Sequence, residues 1–199
     1  MSLVNKGFHG RRGPSTVPLP PGQHLTTDFP VLQAGPTPHV DLDDWRFTIR
    51  NEVGTEYVWT WSQLLNLPTE RPVVDIHCVT SWSKLATRWA GVSLDALFAS
   101  VETTADFALV GSYGGYTTNL PLDDLLGDKA WIVHTYEGEP LTGSHGGPAR
   151  LLVPHLYLWK SAKWVRSIQL RDDDEPGFWE QLGYHEYGDP WREQRYAGD

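Results

Sequence analysis

Apolar residues recur along this chain in short runs with a period near two, separated by Pro, Gly and Asp/Asn turns. That pattern belongs to many short strands rather than to long amphipathic helices. "WRFTIRN" alternates and reads as a strand, with "YVWTW" as its hairpin partner. "SQLLNLP" reads as a short helix that Ser62 caps and Pro68 stops. "PVVDIHCV" is a β-branched apolar run, expected as a strand buried on both faces. Further on, "SLDALFASV" predicts a helix capped by Ser93, "DFALVGS" a strand, "LPLDDLLG" a helical turn and "AWIVHTY" a strand. "EGEPLTG" follows as a hairpin-like turn, "ARLLVP" as a strand, and "SAKWVRSIQL" as a turn leading into a strand. Strands outnumber helices and do not alternate with them regularly, so the expected class is α+β with mixed β-sheets and short helices.

The segment "FPVLQAGPTPHVDL", punctuated by Pro30, Pro36 and Pro38, should run as ordered extended chain. Residues 1–24 are rich in Pro, Gly and basic residues and predict an extended arm; 25–171 form the domain. Residues 172–199 form an acidic, aromatic tail, expected to pack on the domain because so many aromatic rings seldom stay exposed.

Composition narrows the classes. At 199 residues with a 40% apolar share the chain can bury one sizeable core, and no window approaches the roughly 18 consecutive apolar residues of a membrane span. A net charge of -9 argues against nucleic acid as a partner. The single cysteine excludes an intrachain disulfide and any CxxC metal knuckle. Arg11 and Arg12 are followed by no apolar stretch, so the N-terminus reads as neither a Sec nor a twin-arginine signal, and the cytoplasm is the expected compartment. There is no GxGxxG, Walker loop, HExxH or GxSxG; "GSYGGY" lacks the spacing and the following helix.

Two constellations carry candidate chemistry. Cys78 ends an apolar strand just before the polar turn Thr80-Ser81, where strands present side chains to sites. A lone cysteine is also commonly a small buried hydrophobe, so packing, nucleophilic attack and metal ligation all stay open. His77 is its neighbour, but adjacent strand residues face opposite ways, so any base for Cys78 would come from elsewhere. The second constellation is "GSHGGPARLLVPHLYLWKSAKW", residues 143–164. From Pro140 to Arg171 there is no Asp or Glu, while Arg150, Lys160, Lys163, Arg166 and Arg171 are present. Glycine-rich turns offering backbone N–H groups between such cations suit a phosphate-like anion; solvated basic surface is the plain alternative.

Taken together, "DIHCVTSWSKLATRWAGVSLDALF", "HGGPARLLVPHLYLWKSAKWVRSIQL" and "FPVLQAGPTPHVDLDDWRFTI" resemble three ordered segments of the molybdopterin-binding domain of the sulfite oxidase family, and the chain looks like a small stand-alone member. The resemblance runs from about residue 25 to about residue 170. It implies that family's fold and a mononuclear molybdenum held by one molybdopterin dithiolene and by the thiolate of Cys78. It implies that His145 and Arg150 bind the pterin and its phosphate, and that Ser161, Ala162 and Lys163 clasp the cofactor. Phe29, Pro30, Val31, Leu32 and Gln33 match an N-terminal contact, Ser112 and Tyr113 a further one, and Tyr116 an active-site tyrosine. A soft thiolate suits such a metal. Leu32 and Ala34 stand where sulfite oxidases carry a substrate arginine and a histidine, and the loss of one charge-assisted hydrogen bond, about 1.5–3 kcal/mol, weakens the case for sulfite.

The implied activity is two-electron oxygen-atom transfer with a small-molecule oxo-acceptor or oxo-donor, a sulfoxide, an N-oxide or a sulfite-like compound. The haem domain and CxxCH attachment are absent, so an external electron-transfer partner is expected. Two other readings compete: a non-catalytic molybdopterin-binding protein, and a hydrolase with Cys78 as nucleophile and His145 as base.

Overall fold

The computed structural model describes residues 17–199. Residues 1–16, most of the expected arm, lie outside the described residues. Eleven strands and two short helices follow among the described residues: β1 (His24–Leu25), β2 (Arg46–Arg50), β3 (Glu56–Thr60), α1 (Trp61–Leu65), β4 (Val73–Cys78), β5 (Trp82–Ser93), α2 (Leu94–Phe98), β6 (Phe107–Ser112), β7 (Thr117–Pro121), β8 (Trp131–Tyr136), β9 (Glu139–Pro140), β10 (Arg150–Leu152) and β11 (Val165–Arg171). The class is α+β with predominant sheet and short helices, as the period-two pattern predicts.

The strands form two mixed sheets. One has the order β3-β2-β11-β6-β7, with β11 parallel to β2 and antiparallel to β6. The other runs β1-β5-β8-β10, with β4 paired to β5 and β9 to β8. Strand β5 joins the halves of this second sheet: Trp82–Arg88 pairs with β4 and Trp89–Ser93 with β8. Gly91 lies at a bulge where a Cβ would meet the Ile132 carbonyl oxygen at 2.2 Å, so only glycine permits the approach. A large core including Trp45, Phe47, Ile49, Val92, Leu97, Val110, Leu151 and Ile168 is shared by the two sheets. A second cluster gathers Ile76, Trp82, Trp89, Trp131 and Leu152 around Cys78. Each such side chain, fully buried, contributes about 1.5–3 kcal/mol.

Several expectations need correction. Helix α1 is capped by Thr60, not Ser62: Thr60 Oγ1 accepts from Gln63 N and Gln63 Oε1 accepts from Thr60 N, a reciprocal capping box. Strand β4 is not buried on both faces. Its ladder is with β5, with one isolated bridge from His77 to Tyr157; Val73 is 61% exposed, and within the strand only Ile76, His77 and Cys78 are buried. Strands β5 and β7 escape the alternation rule because polar side chains along them turn inward to specific partners, as Thr87 does to the Val74 carbonyl and Thr118 to Glu180.

The chain after β11 runs along the edge strand β7, where Phe178 N donates to Thr117 O, then past Trp159 to the turn after Cys78, where Arg195 donates to Val79 O. Trp179, Tyr184 and Tyr196 pack in series through a tilted and an edge-on contact, Gly188 packs against the Trp159 ring, and Tyr187 donates to Asp124 Oδ1 at 3.2 Å.

Candidate active site

Strand β4 ends at Cys78, which is still paired with Trp82 of β5, and the chain then makes a tight turn closed by Ser81 N donating to Cys78 O. The thiol is 7% exposed, and its Sγ lies 3.1 Å from Thr80 Oγ1. Burial pushes the thiol up, while the Thr80 hydroxyl and amide, then the charges of Arg195 and Lys163, pull toward thiolate. His77 faces away and bonds Ser83 Oγ through Nδ1 at 2.8 Å.

A second wall comes from the turn between β9 and β10. His145 ends a short 3-10 turn, and Gly146 at φ +105° lets the backbone fold against Lys163 and Arg150, whose Cβ atoms would lie 3.0 and 3.1 Å from a Cβ there. Arg150 is buried and donates only to carbonyls: Leu151 O, His145 O and Ser161 O. Lys163 Nζ likewise donates to Leu32 O at 2.8 Å and Ser144 O at 2.7 Å. Among the described residues no carboxylate pairs with either cation. Burial pushes Arg150 down to about 10; burial and then the charge of Arg150 push Lys163 down to about 8. Both are cationic at neutral pH, repel each other and lack a counter-ion, so an entering anion would relieve both penalties.

These walls enclose a cleft of about 380 Å³. Cys78, Tyr116, Phe29, Pro30, Leu32, Gln33, Arg150, Ser161, Ala162 and Lys163 all line it, so most of the residues singled out from sequence converge on one space. Four do not line it. Val31 points to solvent, and Ser112 Oγ is spent on the Lys163 carbonyl at 2.6 Å. Tyr113 OH bonds the Arg46 backbone, and Gly114 and Gly115, the next two residues, reach the cleft instead. His145 lies behind Phe29, stacked at 4.2 Å with Nε2 bonded to Phe29 O, and so supports the cleft wall indirectly.

Two sequence readings are revised. Lys160 is not available to an anion: it is fully buried against Glu180 at 2.7 Å and donates to Asn119 O and Glu186 O. The Cys78–His145 nucleophile–base pair is not assembled, because both ring nitrogens of His145 are engaged, by Thr142 Oγ1 and Phe29 O, and no histidine lines the cleft among the described residues. Tyr116 donates its hydroxyl to Trp159 O at 2.5 Å. Burial, followed by the charge of Glu180, holds that phenol well above its usual range, so it keeps its proton at every working pH.

Sequence reasoning missed Trp82, Trp159, Phe178, Trp179 and Tyr184 as cleft residues. Trp82 stands opposite Cys78 in the β4–β5 register, so the spacing Cys-x-x-x-Trp was its available signal. Phe178, Trp179 and Tyr184 come from the far C-terminal segment, and their aromatic spacing alone signals packing.

The donor set fits a molybdopterin. Cys78 offers one soft sulfur to the cleft, the donor type that a sulfur-ligated metal takes. The two uncompensated cations fit a phosphate.

Comparison with known proteins agrees with this geometry. Residues 34–179 match the family model described as oxidoreductase molybdopterin binding domain. The chain is 42% identical over 184 residues to the uncharacterized oxidoreductase YuiH of Bacillus subtilis (strain 168), covering 91% of this chain and 93% of that protein. It is 29% identical over 162 residues to the protein-methionine-sulfoxide reductase catalytic subunit MsrP of Burkholderia mallei, covering 72% of this chain and 49% of that protein. The chain thus spans about half the length of that relative. The sulfane dehydrogenase SoxCD from Paracoccus pantotrophus shares the fold, with a TM-score of 0.62 and 21% identity over 69% of this chain and 41% of that one. No helix among the described residues is long and apolar enough to cross a membrane.

Proposed function

Because the chain belongs to the oxidoreductase molybdopterin-binding domain family, whose members are molybdenum-dependent oxidoreductases, we propose that it catalyses two-electron oxygen-atom transfer, with a sulfoxide as oxygen donor. The observation that carries this reading is the sharing of one cleft by Cys78, Arg150 and Lys163, the two cations having no carboxylate partner. Molybdenum carried by bound molybdopterin would supply the two-electron redox chemistry. In this reading Cys78 is the protein's ligand to that metal. Arg150 and Lys163 would hold the pterin's phosphate by charge-assisted hydrogen bonds, with Ser161, Ala162 and the glycine turn beside them.

The chain's remaining work is orientation and exclusion of water. Tyr116, locked in its protonated form, shares its hydrogen between the Trp159 carbonyl and a substrate oxygen that competes for it. The net reaction takes a sulfoxide, two electrons from an external partner and two protons to a sulfide and water. Leu32 and Ala34 on the cleft wall present no charge to an anionic substrate, which favours a neutral one. The similarity to a methionine-sulfoxide reductase subunit points the same way.

The test is dye-linked turnover of protein produced with molybdate. Reduced viologen should be oxidised on addition of a sulfoxide, and Cys78→Ser should abolish this while leaving the melting temperature near wild type. Turnover that survives Cys78→Ser would refute the reading.

A further inference from the structure

Five aromatic side chains on the cleft wall form a closed circuit. Tyr116 packs on Phe178 at 5.9 Å, Phe178 on Trp179 at 5.1 Å, Trp179 on Tyr184 at 5.0 Å, and Tyr184 on Trp159 at 5.3 Å. The loop closes where the Tyr116 hydroxyl donates to the Trp159 carbonyl. Three of the five, Phe178, Trp179 and Tyr184, come from the segment after β11. The family match ends at residue 179, so Tyr184 lies beyond it.

The circuit is held from behind. Trp159 is followed by Lys160 and Trp179 by Glu180, and these two charged residues form the fully buried ion pair. Glu180 Oε1 also accepts from Trp159 Nε1 at 2.9 Å, which ties the Trp159 indole to the residue that follows Trp179. Yet the rings themselves stay partly open: Phe178 is 37% exposed and Tyr184 half-buried. Rigid aromatic surface left open inside a cleft, fixed by a buried ion pair, is the construction of a binding wall rather than of a packed core.

We propose that Tyr184, with Phe178 and Trp179, is the specificity-determining wall of this cleft, and that it selects substrates whose oxygen-bearing atom carries an aryl group. This rests on the oxygen-transfer reading above. The chemistry of the cleft narrows the choice. Aromatic faces attract cations and flat apolar groups. Cations are disfavoured because no Asp or Glu lines the cleft among the described residues. Small oxyanions gain nothing from ring faces. An aryl substituent can stack offset or edge-on against Tyr184 and Phe178 while its oxygen points toward Cys78 and Tyr116.

The experiment compares methyl phenyl sulfoxide with dimethyl sulfoxide in the full-length molybdenum-loaded protein, and separately follows quenching of tryptophan fluorescence by methyl phenyl sulfide, which needs no turnover. Wild type should prefer the aryl sulfoxide in kcat/KM by at least about tenfold, the size expected for filling an apolar pocket. Tyr184→Ala should erase most of that preference and the saturable quenching, and Tyr184→Phe should restore both. Phe178→Ala, at a more exposed position, should reduce the preference and so guards against a Tyr184→Ala chain that fails to fold. Absence of an aryl preference in a wild type that turns over both sulfoxides, or a preference and quenching that persist in both alanine variants, would overturn the proposal. Saturable, Tyr184-dependent quenching in a protein that reduces neither sulfoxide would refute the oxygen-transfer reading and leave the binding wall standing.

Discussion

Lys160 Nζ and Glu180 Oε1 stand 2.7 Å apart with both side chains wholly out of water, and this pair joins the C-terminal segment to the wall of the cleft. Removing one member leaves the other as an uncompensated buried charge, which costs about 3–5 kcal/mol, whereas replacing both by apolar groups is commonly near neutral. Lys160→Met should therefore lower stability in urea unfolding by about that amount, and Lys160→Met with Glu180→Leu should recover much of the loss. A double variant as unstable as the sum of two costly single variants would contradict the pairing.

That residue also shows where the sequence stops being legible. The carboxylate-free stretch from 140 to 171 groups five cations, but their roles diverge with the partners that folding supplies: Arg150 and Lys163 donate to carbonyls and lie over tryptophan rings, while Lys160 meets Glu180, twenty positions later. Local pattern cannot see that pairing. Cys78 was legible at the end of an apolar strand, whereas Tyr116 and the Ser161–Lys163 turn were reached through the family resemblance, and all of them line the cleft. Strand β5 was not, because "WSKLATRWAGVS" changes partners midway and carries a bulge and a positive φ at Ala86, which scrambles its alternation. The aromatic wall was seen only as packing, since stacking order depends on the path of the chain after β11.

Arg150 and Lys163 should govern cofactor retention more than folding. Each charge-assisted hydrogen bond to a phosphate is worth about 1.5–3 kcal/mol. Lys163→Ala should therefore reduce pterin recovered from purified protein, measured by fluorescence after oxidative release, by on the order of tenfold or more under dialysis. Because Lys163 has its folded value pushed down to about 8, retention should also weaken in wild type as pH rises through about 8, and this step should be missing in Lys163→Ala.

Thr80 directs its hydroxyl and its amide at the Cys78 sulfur. In cofactor-free protein, Thr80→Val should move the pH profile of Cys78 alkylation to higher pH, because one hydrogen bond to the thiolate is lost. An unmoved profile would mean that the hydroxyl does not act on the sulfur.

His134 is pushed below its usual range, chiefly by burial and then by Arg71, and His77 shares the direction with burial as its first cause. Between these lowered folded values and the unfolded value of about 6.5, the unfolded chain holds protons that the folded one lacks. Stability is thus full above about 6.5 and falls as pH drops through the folded values. Thermal melts at pH 5.5 and 7.5 should differ in that sense, and His134→Gln should narrow the gap.

The central claim, that the Cys78 thiolate is the chain's ligand to molybdenum in the cleft shared with Arg150 and Lys163, is tested most directly by X-ray absorption at the molybdenum edge. Wild type should show a shell of sulfur neighbours that loses one member in Cys78→Ser. An identical sulfur shell in both proteins, or no molybdenum in wild type produced with molybdate, would contradict it.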